Sequence, residues 1–248
     1  GDSFTQGACV NRPHDIGSIL RKLSKKSVLN LGIGGSGTLL EYAVLREYMT
    51  KNVKNVILLY FDGNDLKDLK RELDSNILTK YLDDKKYTQN LIIKQELINR
   101  TIRKYIEKLY NEKKSNKLSS NNKNYIKFIK LYRTRIQIFR PEMKVEKEFE
   151  KILYLMKNLT KENGSNLYFV YLFGYQKYGF VNYKGNNYKE IKSIVDKLEI
   201  PFIDTHEEVF SKEKNPLNFF PFKMYGHYNK KGYEKISNAI FHSINKSF

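Results

Sequence analysis

Short, continuously apolar runs that stop at glycine or a polar turn decide what this chain can fold into. Asn55 to Phe61 (Asn-Val-Ile-Leu-Leu-Tyr-Phe) ends at Asp62-Gly63-Asn64, and Ser27 to Ile33 (Ser-Val-Leu-Asn-Leu-Gly-Ile) ends in glycines. Leu167 to Phe173 and the shorter Ile200 to Ile203 have the same character. A strand that is apolar on both faces leaves no side for water, so it belongs in a parallel sheet covered on both sides. Helical patterns separate these runs, over Asp15 to Lys26, Thr38 to Met49, Glu142 to Asn163, Tyr188 to Leu198 and Asn229 to Asn245. Thr38 reads as the N-cap of its helix, and Gly164 closes the one before it. Strands alternating with helices imply an α/β fold with a parallel sheet between helical layers.

At 248 residues the chain has the size of one such domain with an insertion, here about 66–140. Neither an internal repeat nor a second domain is apparent. The stretch Asn111 to Asn124 is mostly Asn, Lys and Ser and reads as a solvated loop. The formal net charge of +18 points toward anionic partners at first sight. The excess is lysine, accompanied by many Asn, Ile and Tyr, a bias that an AT-rich genome also produces. With no nucleic-acid-binding motif beside it, no nucleic-acid partner is expected. The single cysteine, Cys9, excludes an internal disulfide, offers no metal-ligand spacing and reads as a packed small residue.

In sheets of this kind, ligands bind at the carboxyl ends of the strands. Three small-residue segments fall at such ends: Gly1-Asp2-Ser3, Gly34-Gly35 and Gly63-Asn64. A serine on a Gly-Asp-Ser turn needs a strand before it. None precedes it here, so a fifth strand is expected ahead of Gly1. A serine hydroxyl is a weak nucleophile until a base takes its proton, and His227, in Gly226-His-Tyr-Asn229, is the candidate base. Attack on an ester builds charge on oxygen. The backbone N–H groups of Ser3 and Gly35 and the amide of Asn64 are candidate donors to it. Gly35 permits a close backbone approach, and Asn64 donates without adding charge. The glycine cluster lacks the Lys-Ser/Thr ending of a Walker phosphate loop.

Taken in order, Gly1-Asp2-Ser3-Phe4, Gly35, Gly63-Asn64-Asp65 and Gly226-His227-Tyr228-Asn229 to Gly232-Tyr233 resemble the blocks of the SGNH (GDSL-type) hydrolases. Asn30 to Glu41 resembles a bacterial envelope-associated subset. The resemblance implies a three-layer α/β/α sandwich with a flavodoxin-like parallel sheet, whose first strand is missing from this sequence. It also implies an acyl-enzyme on Ser3, catalytic roles for Ser3, His227, Gly35 and Asn64, and no metal or organic cofactor. The substrate it implies is an acylated carbohydrate or a lipid ester, O-acetyl on an envelope glycan foremost. The place it implies is the bacterial envelope or periplasm, with membrane association through an upstream segment left open.

One departure concerns the base. The family's last block carries an Asp two or three residues before the histidine, where this sequence has Tyr225 and Met224. That leaves a Ser–His dyad, a backbone carbonyl holding His227, or a carboxylate from elsewhere, with Asp204 nearest by topology. A catalytically impaired, SGNH-like binding protein is the corresponding alternative. Phe219, Phe220, Phe222, Tyr225 and Tyr228 form either a substrate wall or core. His14, His206 and His242 lack matching motifs and read as structural or surface residues.

Overall fold

The computed structural model describes residues 1–115, 143–180, 183 and 187–246. They divide into two compact units, one of residues 1–87 with 143–248 and one of residues 88–142.

The first unit is built on a parallel sheet of three strands in the order β1-β2-β3: β1 is Asn55–Phe61, β2 Asn166–Leu172 and β3 Phe202–Asp204. Leu59 pairs with Val170, and Val170 with Ile203. The side chains alternate between two separate cores. Leu58, Tyr60, Phe169 and Tyr171 join one, while Leu59, Phe61, Tyr168, Val170 and Leu172 join the other. A strand apolar at every position therefore becomes the middle layer of three.

The first core is closed by Leu39, Tyr42, Leu69, Phe149, Ile152 and Ile191. These lie on helices α1 (Thr38–Tyr48), α2 (Asp65–Glu72), α3 (Lys147–Glu162) and α4 (Tyr188–Lys197). The second is closed by Phe4, Ile16, Leu20, Ile236 and Ile240, from α5 (Ser3–Gln6), α6 (Ile16–Ser24) and α7 (Lys230–Lys246). Of the second unit, the structure describes one long helix, α8, Gln95–Ser115.

Three expectations are corrected. Ser27 to Ile33 is apolar, yet it forms no strand: its Leu29 and Ile33 are exposed. A strand exists only through a ladder partner. The hydrogen bonds of this segment go instead from Arg21 Nε to the Val28 carbonyl at 2.9 Å, and from Ile33 N–H to the Gly1 carbonyl at 3.1 Å. The solvated loop expected over 111–124 is helical as far as Ser115, and its remainder lies outside the described residues.

The third concerns the start of α1. Its N-cap is Gly37, with no side-chain cap of its own, and Thr38 is already helical. The cap comes from across the fold: Glu72 Oε1 accepts Gly37 N–H at 2.5 Å and Oε2 accepts Leu40 N–H at 3.1 Å. Two orphan donors of the helix start are thus satisfied by one buried carboxylate. Glu72→Ala should lower unfolding stability by about 1–2 kcal/mol. Urea unfolding checks this, and an unchanged midpoint would show that water replaces the cap at no cost.

Candidate active site

Asp2 begins the site. Its buried carboxylate accepts the Phe4 N–H at 2.8 Å and caps the short helix α5, which places Ser3 at the helix start. Burial raises the Asp2 pKa, against the opposing effect of that backbone bond. Gly7, in the left-handed conformation at φ 90°, ends the turn, and its N–H bonds back to the Ser3 carbonyl. Asp2 thus supports the turn that carries Ser3.

Ser3 Oγ lies 2.8 Å from His227 Nε2, a contact between residues 224 positions apart. The second acceptor near the hydroxyl is Asp2 Oδ2, at 3.2 Å. A serine has one proton to donate, and the shorter contact gives it to the imidazole when Nε2 is unprotonated. The loop carrying His227 is anchored on both sides. Tyr228 is buried and donates its hydroxyl to the Phe173 carbonyl at 2.5 Å, and Asn229 Oδ1 accepts Gly232 N–H at 3.0 Å as α7 begins. The Phe4 ring packs against the imidazole with centroids 4.5 Å apart.

Burial lowers the His227 pKa from its ordinary 6.5, opposed by the Asp2 charge. A base must be neutral to accept a proton, so activity should rise with pH through a His227 pKa below 6.5. The pH dependence of kcat/KM for an uncharged ester reads it. An acidic limb centred above 6.5 would contradict that environment.

The glycine loop lies against the nucleophile turn. A Cβ on Gly32 would sit 2.5 Å from the Gln6 backbone nitrogen, and one on Gly34 would sit 3.7 Å from Ser3 Cβ. Close approach is therefore the requirement at Gly32. At Gly35 nothing of the protein lies within 4 Å of a would-be Cβ, and the residue holds a left-handed φ of 78°, which favours glycine. Asn64 follows β1, and its Nδ2 donates to Asp68 Oδ2. Asp68 Oδ1 pairs with Arg71 at 3.0 Å, and Arg71 donates on to the Gly35 carbonyl at 2.7 Å. Asn64 and Gly35, the two oxyanion candidates outside the nucleophile turn, are joined by this chain of contacts. Sequence reading missed Asp68 and Arg71, although Asn64 and Asp68 stand at the i, i+4 spacing of helix neighbours.

Asp204 is not the orienting carboxylate. Its Oδ1 accepts the N–H groups of His206 and Glu207, and its Oδ2 accepts the Tyr188 hydroxyl. Cys9, expected to be packed, is exposed, and its Sγ lies 3.8 Å from His227 Nδ1. Among the aromatics near the last block, Phe219, Phe220 and Tyr228 belong to the core, while Phe222 and Tyr225 are exposed. Tyr225 packs parallel to Phe180 and edge-on to Tyr175. His206 is structural, accepting or donating at Tyr178 Oη at 3.0 Å. Among the described residues no group of three His, Cys, Asp or Glu is placed to hold a metal, and no helix is long and apolar enough to cross a membrane.

A parallel sheet between two helical layers, with a Gly-Asp-Ser turn facing a C-terminal histidine, is the arrangement that the resemblance to the SGNH hydrolases implies, and comparison of structures shows that fold. The structure is similar to that of a protein of the G-D-S-L family, provisionally described as lipolytic, from Desulfitobacterium hafniense DCB-2. The TM-score is 0.53 at 13% identity, over 98% of this chain and 95% of that one. No family model and no curated protein matches the sequence.

Proposed function

We propose that this chain is a serine ester hydrolase that removes acyl groups, acetyl foremost, from a carbohydrate such as an envelope glycan. The observation that carries the reading is the 2.8 Å contact between Ser3 Oγ and His227 Nε2. In this scheme Ser3 Oγ attacks the ester carbonyl carbon while its proton passes to Nε2. The backbone N–H groups of Ser3 and Gly35 and the Asn64 amide take the charge that develops on the carbonyl oxygen. His227 then returns the proton to the departing alkoxide, leaving an acyl-enzyme on Ser3. Water, deprotonated by the same imidazole, releases the acid and restores the serine. All of these residues lie in the first unit, which serves as the catalytic domain, with residues 88–142 as its insertion.

The carbohydrate assignment draws support from Tyr225. The residue, two positions before His227 in the chain, is 67% exposed, and its ring is backed by Phe180 at 6.3 Å with an interplanar angle of 5°. A flat, exposed ring held by a second one is suited to the apolar face of a sugar. A lipid ester is the second reading, favoured by Phe222 at 93% and Met224 at 56% exposure on the same loop. The lipolytic description of the similar structure points the same way.

Labelling with a serine-reactive fluorophosphonate and turnover of p-nitrophenyl esters of increasing chain length test these readings together. Modification at Ser3, with acetate preferred and acetate released from an acetylated polysaccharide, is the expected result. A preference for long acyl chains would move the assignment to lipid esters. Failure to label Ser3 would leave a binding protein with a hydrolase fold.

A further inference from the structure

The imidazole of His227 has two nitrogens, and the scheme above uses one. Among the described residues, no carboxylate or backbone carbonyl bonds the other. Asp2 acts on the ring through its charge from the Ser3 side. What stands at Nδ1 is the Cys9 sulfur, 3.8 Å away.

Ser3 can pass its proton to Nε2 only if Nε2 is bare, so the neutral ring must carry its hydrogen on Nδ1. That N–H needs an acceptor, or the tautomers become comparable in energy and the productive one is populated only part of the time. We propose that Cys9 is the positioning residue of His227, its sulfur accepting the Nδ1 hydrogen and holding the ring in the tautomer that faces Ser3. The proposal rests on the Ser3–His227 reading of the site.

The backbone on both sides of Cys9 is held. The Gly7 turn feeds directly into it, and Val10 N–H bonds back to the Gly7 carbonyl at 3.3 Å. Cys9 itself has φ 70°, in the left-handed region that L side chains seldom occupy. Tyr233, on the helix that follows His227, donates its hydroxyl to the Ala8 carbonyl at 2.9 Å. The nucleophile turn, the thiol and the base are thereby tied into one unit, with the sulfur on the far side of the ring from Ser3. Distance also ranks the two candidate nucleophiles. At 2.8 Å the serine oxygen is engaged by the ring, whereas sulfur at 3.8 Å makes a weak, long contact suited to orientation.

A sulfur acceptor is weaker than a carboxylate, and this sets the test. Cys9→Ala, Cys9→Ser and Cys9→Asp are compared with the parent by kcat and KM on p-nitrophenyl acetate, and the His227 ring is titrated by NMR in each. Cys9→Ala should lower kcat about tenfold at unchanged KM, the usual scale for losing a partner that orients an imidazole. Cys9→Ser should recover part of that loss. Cys9→Asp should exceed the parent and raise the His227 pKa, because a carboxylate favours the imidazolium. An identical kcat and an identical His227 titration in Cys9→Ala and the parent would overturn the proposal. So would a loss in Cys9→Ala that neither Ser nor Asp reverses, since that marks a merely structural role. The titration reads the coupling without turnover. If the parent itself has no esterase activity, the hydrolase reading fails and the proposal is read from the ring alone: a His227 titration changed in Cys9→Ala supports it, and an unchanged one overturns it.

Discussion

Ser3→Ala and His227→Ala are each expected to lower kcat on p-nitrophenyl acetate on the order of 10³-fold, with the double variant no slower than either single one. The two groups act as one device. Without the imidazole the hydroxyl keeps its proton, and without the hydroxyl the imidazole has nothing to activate. The 2.8 Å contact is the only observation needed for this non-additivity. Fold should survive both changes, because the turn around Ser3 is held by backbone bonds and by the Asp2 cap, neither of which uses the serine hydroxyl or the imidazole. Near-UV circular dichroism and the thermal midpoint check that point. A Ser3→Ala protein retaining more than a tenth of parental kcat would remove the serine from the mechanism. Cys9, the other nucleophilic side chain beside the ring, would then be tested by the same assay.

How much of this was legible in the sequence depended on how far apart the interacting residues lie. β1 is read residue for residue, Asn55 to Phe61, because its burial on both faces is written into its own side chains. Helix α1 is legible almost to its ends for the same reason, but its cap is not. Thr38 has the right chemistry at the right place, yet the helix start is satisfied by Glu72, and no local rule points from one to the other. Ser27 to Ile33 failed differently. Apolar character states what a segment can do, whereas a strand is a relation with a neighbour, and the described residues supply none there. At the site, Ser3 and His227 were legible because each sits in a recognisable block. Cys9 sits in none, and only the folded chain brings its sulfur to the imidazole across 218 positions. The link from Asn64 through Asp68 and Arg71 to Gly35 mixes the two cases. Its helical spacing is local, but the last contact, from Arg71 to the Gly35 carbonyl, is not.

That link underlies the second large effect. Asn64→Ala should lower kcat about 10²-fold with little change in KM, the scale for removing one oxyanion donor. The Asn64 amide has two hydrogens, and Asp68 accepts one of them. In the proposed scheme this bond orients the amide and leaves its second N–H for a charge that develops only in the transition state, so kcat should fall and binding should not. Asn64→Asp should be worse than alanine. It replaces a donor by an anion, sets that anion against Asp68, and repels the developing oxyanion. Arg71→Ala should do less, since Arg71 touches the Gly35 carbonyl and Asp68 rather than the reacting ester. The order of rates, parent, then Arg71→Ala, then Asn64→Ala, then Asn64→Asp, is a stricter test than any single value. An Asn64→Ala protein within twofold of the parent would mean that backbone N–H groups alone hold the oxyanion, and the chain from Asn64 to Gly35 would then be a brace for the loop and nothing more.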